Sequence, residues 1–153
     1  MKKVISSLAI ACISMTFVCY FTSCSNKIVY SKIMFGRGGG VTGKYDDYFL
    51  GKNGNVYKKD PALKTFTKIK SLSSKQTKAI FKEVDDNKLF ELAFNHPYNM
   101  SSYIEIVKDS VSNRIVWGNA SNPPPAAVME LFNKLMDQVF VPYRGNQFKT
   151  NKK

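Results

Sequence analysis

The residues able to carry chemistry are few: one histidine, three cysteines and a run of glycines flanked by basic residues. His96 stands in Asn95-His96-Pro97-Tyr98-Asn99-Met100, a polar stretch that predicts a loop. To act as a general base it needs a carboxylate within hydrogen-bond reach, and Asp46 or Asp47 could supply one for a hydrolytic reaction. Cys12, Cys19 and Cys24 all fall within the first 24 residues, so no cysteine nucleophile accompanies His96. No second histidine exists to complete a metal site, and the spacing of Ser and Asp sets up no triad. The sequence therefore assigns no catalytic residue, metal or cofactor, and it leans away from an enzyme.

The glycine run, Gly36-Arg37-Gly38-Gly39-Gly40-Val41-Thr42-Gly43-Lys44, contains two phosphate-binding patterns. Gly38-x-Gly40-x-x-Gly43 matches a dinucleotide fingerprint, and Gly38-x-x-x-x-Gly43-Lys44 matches most of a phosphate loop. Both patterns work only at a strand-to-helix turn, where phosphate meets a helix N-terminus. Here Tyr45 replaces the Mg²⁺-binding Ser or Thr, and the aromatic run after it is strand-like. Nucleotide binding is thereby disfavoured. What survives is a flexible approach to a strand, or an anion-binding nest beside Arg37 and Lys44.

Lys2 and Lys3 precede an uncharged, mostly apolar stretch from Val4 to Thr22, and Cys24 follows. This is the layout of an export signal. Phe21-Thr22-Ser23-Cys24 resembles the lipobox of bacterial lipoproteins, although Phe21 departs from the usual aliphatic residue. The resemblance implies cleavage before Cys24 and lipid on its thiol, so that the bilayer is a partner. Cleaved soluble export and an uncleaved anchor are the alternatives. Without Lys2 and Lys3, 21 basic residues face 11 acidic ones, a net of +10. The charge reads first as a solvated lysine face that keeps the domain soluble; as a binding surface it suits anionic envelope components or envelope proteins better than nucleic acid.

The elements that must position these residues follow from periodicity and turn signals. Lys52-Asn53-Gly54-Asn55 predicts a two-residue hairpin turn between strands at 44–51 and 55–59. Residues 66–69 alternate as a third strand. Ser73 and Gln76 form a capping box that opens a helix ending near Asn87, with Ile80, Phe81 and Val84 on its apolar face. Strands at 103–108 and 114–117 flank a five-residue turn. Pro125 starts a second helix carrying Val128, Leu131, Phe132, Leu135, Met136 and Val139. The order β-β-β-α-β-β-α predicts an α+β fold, an antiparallel sheet of about five strands with both helices on one face. The expected organisation is a signal peptide at 1–23, a lipidated Cys24 with tether and glycine-rich lead-in to 40, a domain at 41–141 and a basic tail at 142–153.

Taken together, the lipobox-like leader, Phe35-Gly36-Arg37-Gly38-Gly39-Gly40, Asn53-Gly54, Asn95-His96-Pro97 and Arg114-Ile115-Val116-Trp117-Gly118 resemble small uncharacterised lipoproteins of Bacteroidetes-type bacteria. The resemblance implies a periplasm-facing outer-membrane anchor and carries no activity. Ser25 stands where an inner-membrane retention signal would place aspartate. The reading is a membrane-tethered, non-enzymatic binding or interaction module. Its candidate ligand residues are Arg37, Lys44, His96 and Trp117, all read as lying on or beside loops. The alternative is an envelope hydrolase using His96.

Overall fold

The computed structural model describes residues 28–144. The leader, Cys24 and the last nine residues of the tail lie outside the described residues.

Among the described residues are seven strands and two α-helices: β1 (Lys32–Gly39), β2 (Lys44–Gly51), β3 (Asn55–Lys59), β4 (Phe66–Ser71), α1 (Ser74–Asp86), β5 (Asn95–His96), β6 (Met100–Lys108), β7 (Val111–Trp117) and α2 (Ala126–Arg144). They form one sheet in the order β4-β3-β2-β1-β6-β7-β5. The class is α+β, but the expected five-strand antiparallel sheet is corrected on two counts. The sheet has seven strands, and it is mixed because β5 runs parallel to β7.

The larger correction is β1. It covers a stretch whose first part, up to Phe35, suits a linker or a first edge strand and whose second part suits a glycine lead-in, yet it is the central strand, paired along all eight residues with both β2 and β6. Glycine has low strand propensity and hides the alternation of Ile33 and Phe35 from a local reading. The pairing on both edges overrides that propensity. The polar composition around His96 predicts a loop. Asn95 and His96 instead pair with Val116 and Trp117 as a two-residue edge strand.

The turns also differ in detail. The Asn53-Gly54 hairpin has the expected strand bounds but a three-residue connection, and only Gly54 takes positive φ there. Asn53 Oδ1 accepts from the Asn55 amide at 3.1 Å, which closes the turn by a side-chain route. The second hairpin is tighter than the five residues expected. β7 begins at Val111, and Asp109 takes φ 52° in a two-residue turn.

The helices form where the sequence places them. The Ser73 amide donates to Gln76 Oε1 at 3.0 Å, and Ser73 Oγ accepts from the Gln76 amide at 3.3 Å. α2 continues through Arg144, past the expected start of the tail.

Cross-strand register puts Ile33 and Phe35 on the same face as Leu50 and Tyr48 of β2, Val56 of β3, Ile106 and Ile104 of β6, and Ile115 of β7. These residues share one core with Ile80, Phe81 and Val84 of α1 and with Val128, Leu131, Phe132 and Leu135 of α2. Both helices therefore cover one face of the sheet and leave the other open. Tyr30 pins the incoming chain to this core. Its hydroxyl donates to Asp85 at 2.6 Å and its ring stacks on Phe81. Burial, then the Asp85 bond and charge, raise the Tyr30 hydroxyl far above its ordinary range.

Candidate functional site

The strand directions divide the sheet into two ends. At one end lie Tyr30, Lys32, the 51–55 turn and the Lys108–Val111 turn. The chain enters the domain there. At the other end lie the β1–β2 turn, the β3–β4 loop and the segment leading into β6. Eight residues of extended β1 separate these ends by roughly 26 Å.

The glycines build the far end. Gly39, Gly40 and Gly43 take φ of 114°, 67° and 59° around a single 3-10 turn, Gly40–Thr42. Side chains disfavour that left-handed backbone, so the run supplies a tight β1–β2 reversal. The Gly40 amide donates to the Asn99 carbonyl at 2.5 Å, which fastens this turn to the segment before β6.

Beside the turn is an open depression of about 290 Å³ lined by Gly43, Lys44, Tyr45, Asp47, Lys59, Pro61 and Lys64. Three lysines meet there, from the start of β2, the end of β3 and the β3–β4 loop. A neighbouring hollow of about 460 Å³ contains Arg37 and Asp46 and shares Lys44, Tyr45 and Pro61 with the first. Lys64 itself sits at φ 55° in the β3–β4 loop. That loop is folded by Asp60, whose carboxylate accepts from the Ala62 and Leu63 amides at 2.8 and 3.0 Å. The same bonds hold its pKa below the usual carboxylate value.

The floor of the site is a cross-strand network on the open face. Gly36 of β1 lies between Asp47 of β2 and Tyr103 of β6. A Cβ on Gly36 would collide with the Asp46 carbonyl and crowd the Tyr103 ring, so only glycine lets that ring lie across the strand. The Tyr103 hydroxyl reaches over to donate to Asp47 Oδ1 at 2.7 Å. Asp47 Oδ2 accepts from Lys59 Nζ at 3.0 Å. The Arg114 guanidinium lies 4.0 Å above the Tyr103 ring, and Tyr45 meets that ring edge-on at 6.0 Å. Tyr103 is thereby only 3% exposed, although no helix of the described residues covers this face. Burial first, then the bond to Asp47 and its charge, push the Tyr103 hydroxyl far above its ordinary value, with Arg114 opposing. Lys44 and Lys64 make no ion pair among the described residues, whereas Lys59 is held by Asp47.

The residues singled out from sequence fall as follows. Arg37 and Lys44 come together at the glycine turn. Arg37 is exposed, with its guanidinium 5.6 Å from the Phe140 ring of α2. Trp117 is a core residue, 8% exposed and edge-on to Phe132 at 5.0 Å. His96 is exposed on the β5 edge and packs edge-on against Phe94 at 4.7 Å. Register sets Asp46, Arg37, Ser102, Trp117 and His96 in one row across five strands. At ordinary strand spacing, Asp46 and His96 stand roughly 19 Å apart. Among the described residues, His96 makes no hydrogen bond or ion pair with a carboxylate, and no cluster suits a metal ion. Cys24 lies outside the described residues.

Tyr45, Lys59, Lys64 and Tyr103 were missed by the sequence reading. Alternation within the 44–51 strand could have put Tyr45 and Asp47 on one face. Nothing local brings Lys64 or Tyr103 to them. No family model matches this chain, and no curated protein matches it. Among the described residues, no helix is long and apolar enough to cross a membrane.

Proposed function

We propose that this protein is an envelope lipoprotein, anchored through lipidated Cys24, whose domain binds an anionic ligand without catalysis. The observation that carries the binding reading is the convergence of Lys44, Lys59 and Lys64 beside Tyr45 at one end of the sheet, roughly 26 Å from the end where the chain enters. A tether at the entering end presents this depression away from the bilayer that holds it. The lipobox-like Phe21-Thr22-Ser23-Cys24 supports the anchor, with outer-membrane, periplasm-facing placement as the corollary. The hydrolase alternative loses its support, because Asp46 and Asp47 are too far from His96 to orient its ring.

Two charge-matched triple variants of the full chain test the site. Lys44→Gln/Lys59→Gln/Lys64→Asn empties the depression, and Lys32→Gln/Lys52→Gln/Lys108→Gln removes the same charge from the other end. Retention on a polyanionic resin should fall with the first and change little with the second. Equal losses would mean that net charge alone is responsible. Mass spectrometry of the N-terminal peptide tests the anchor, since an unmodified Cys24 in the membrane-extracted protein excludes it.

A further inference from the structure

We infer that the depression takes an acidic saccharide, with Tyr45 and Pro61 receiving the sugar ring and Lys44, Lys59 and Lys64 its carboxylate. The inference rests on the anionic-ligand reading above and adds the chemistry of the rest of the ligand. A bare phosphate needs only the ammonium groups and backbone amides. This site also offers an aromatic ring and a proline as walls. The Tyr45 ring is held edge-on by Tyr103, so it meets a ligand as a pre-set wall. Aromatic rings present an electron-rich face that suits the polarised C–H groups of a sugar. Asp47 lines the same depression, and its oxygens are already bonded to Tyr103 and Lys59. It therefore orients an ammonium and leaves an acceptor edge for a sugar hydroxyl. The openness of the site at a loop end fits one unit of a polymer lying across it, more than an enclosed small molecule.

The bilayer is the competing source of negative charge. From Cys24 to Ser31 the chain spans at most roughly 25 Å, about the length of β1. A domain standing upright on such a tether would keep the depression off its own membrane, and the vesicle probe below separates that bilayer from a ligand elsewhere in the envelope.

The test uses the full chain held in neutral phosphatidylcholine nanodiscs, free of detergent, with four probes: polygalacturonate, its methyl-esterified form, inorganic polyphosphate and phosphatidylglycerol vesicles. Polygalacturonate should bind more tightly than its neutral ester and more tightly than polyphosphate. Tyr45→Leu should weaken polygalacturonate binding by about three- to tenfold while leaving polyphosphate within about twofold. Lys64→Asn should weaken both, and asparagine suits the left-handed backbone at that position. Thermal melting identifies any loss of fold in Tyr45→Leu, and Lys64→Asn in the exposed loop then decides the site by itself. If Tyr45→Leu weakens polyphosphate equally, or polyphosphate binds as tightly, the saccharide inference falls and an anion site remains. If the neutral ester binds as well as the acid, both readings fall. Full competition by vesicles makes the bilayer the occupant and overturns the inference. Absence of polygalacturonate binding overturns it too, and the resin experiment then judges the anionic reading separately.

Discussion

The two faces of the sheet are written by alternate residues of the same strands, and they solve different problems. On the covered face, Ile33, Phe35, Leu50, Ile104, Ile106 and Ile115 are wholly buried against α1 and α2. That face is held by apolar burial, which needs volume and shape but little direction. On the open face, Gly36, Asp47, Lys59, Tyr103 and Arg114 form a directional polar and aromatic network with no helix of the described residues above it. Among its neighbouring aromatics, Phe49 stacks on Tyr57 and meets Phe66 edge-on, across strands rather than into a core. The difference teaches that residue i of β1 serves stability while residue i+1 makes room for a site.

Truncation on the covered face should break the fold hardest. Phe35→Ala leaves a void in the middle of the core and should cost about 3–5 kcal/mol in chemical denaturation. A loss below about 1 kcal/mol would mean that the two faces contribute alike.

Gly36→Ala attacks the open face at its tightest point. The added methyl meets the Asp46 backbone as well as the Tyr103 ring, and backbone cannot step aside. A cost of about 2–3 kcal/mol is expected, with altered near-ultraviolet dichroism from the displaced tyrosines. A neutral outcome would show that β1 tolerates a side chain there and that the glycine is incidental.

Tyr103→Phe is subtler. It keeps the ring and removes the donor to Asp47, leaving the carboxylate with Lys59 alone, at a cost of about 1.5 kcal/mol. The same variant should change the alkaline limb of stability. The folded state keeps the Tyr103 phenol protonated above its ordinary value of 10.0, whereas the unfolded phenol ionises from there. Above about pH 10 the unfolded chain thus binds fewer protons than the folded one, and stability declines as pH rises. Denaturation midpoints should fall less steeply above that pH in Tyr103→Phe than in the native chain. Identical slopes would remove Tyr103 from the alkaline response.

Lys59→Gln should have the smallest effect on stability, below about 1 kcal/mol, because a partly exposed ion pair gains little. Its effect should appear in anion binding instead. A large loss of stability with unchanged binding would turn the network into a purely structural feature.

Much of the local structure was legible. The Ser73 and Gln76 capping box, the apolar stripe of α2 and the bounds of β2 and β3 depend on residues within a turn or two of each other. The central place of β1 was not legible, because Gly36, Gly38 and Gly39 carry no strand signal and, although β2 follows directly, their β6 partners lie far off. The Ser31 amide, just before β1, donates to the carbonyl of Val107, 76 positions away. Arg37 and Lys44 were placed together by sequence proximity alone. Trp117 read as the end of a strand beside a loop, and its burial under Phe132 required α2 to cross the sheet.

By itself the sequence determined the basic charge, the two helices and most of the strand alternation. Each of these is encoded in composition or in the period of neighbouring residues. Only the tertiary structure decided that a glycine-rich strand is the centre of the sheet, and that Lys44, Tyr45, Lys59 and Lys64 share one depression. Those facts depend on hydrogen-bond pairing and loop closure between distant segments. Their free energy belongs to pairs of strands, so no single stretch of chain records it.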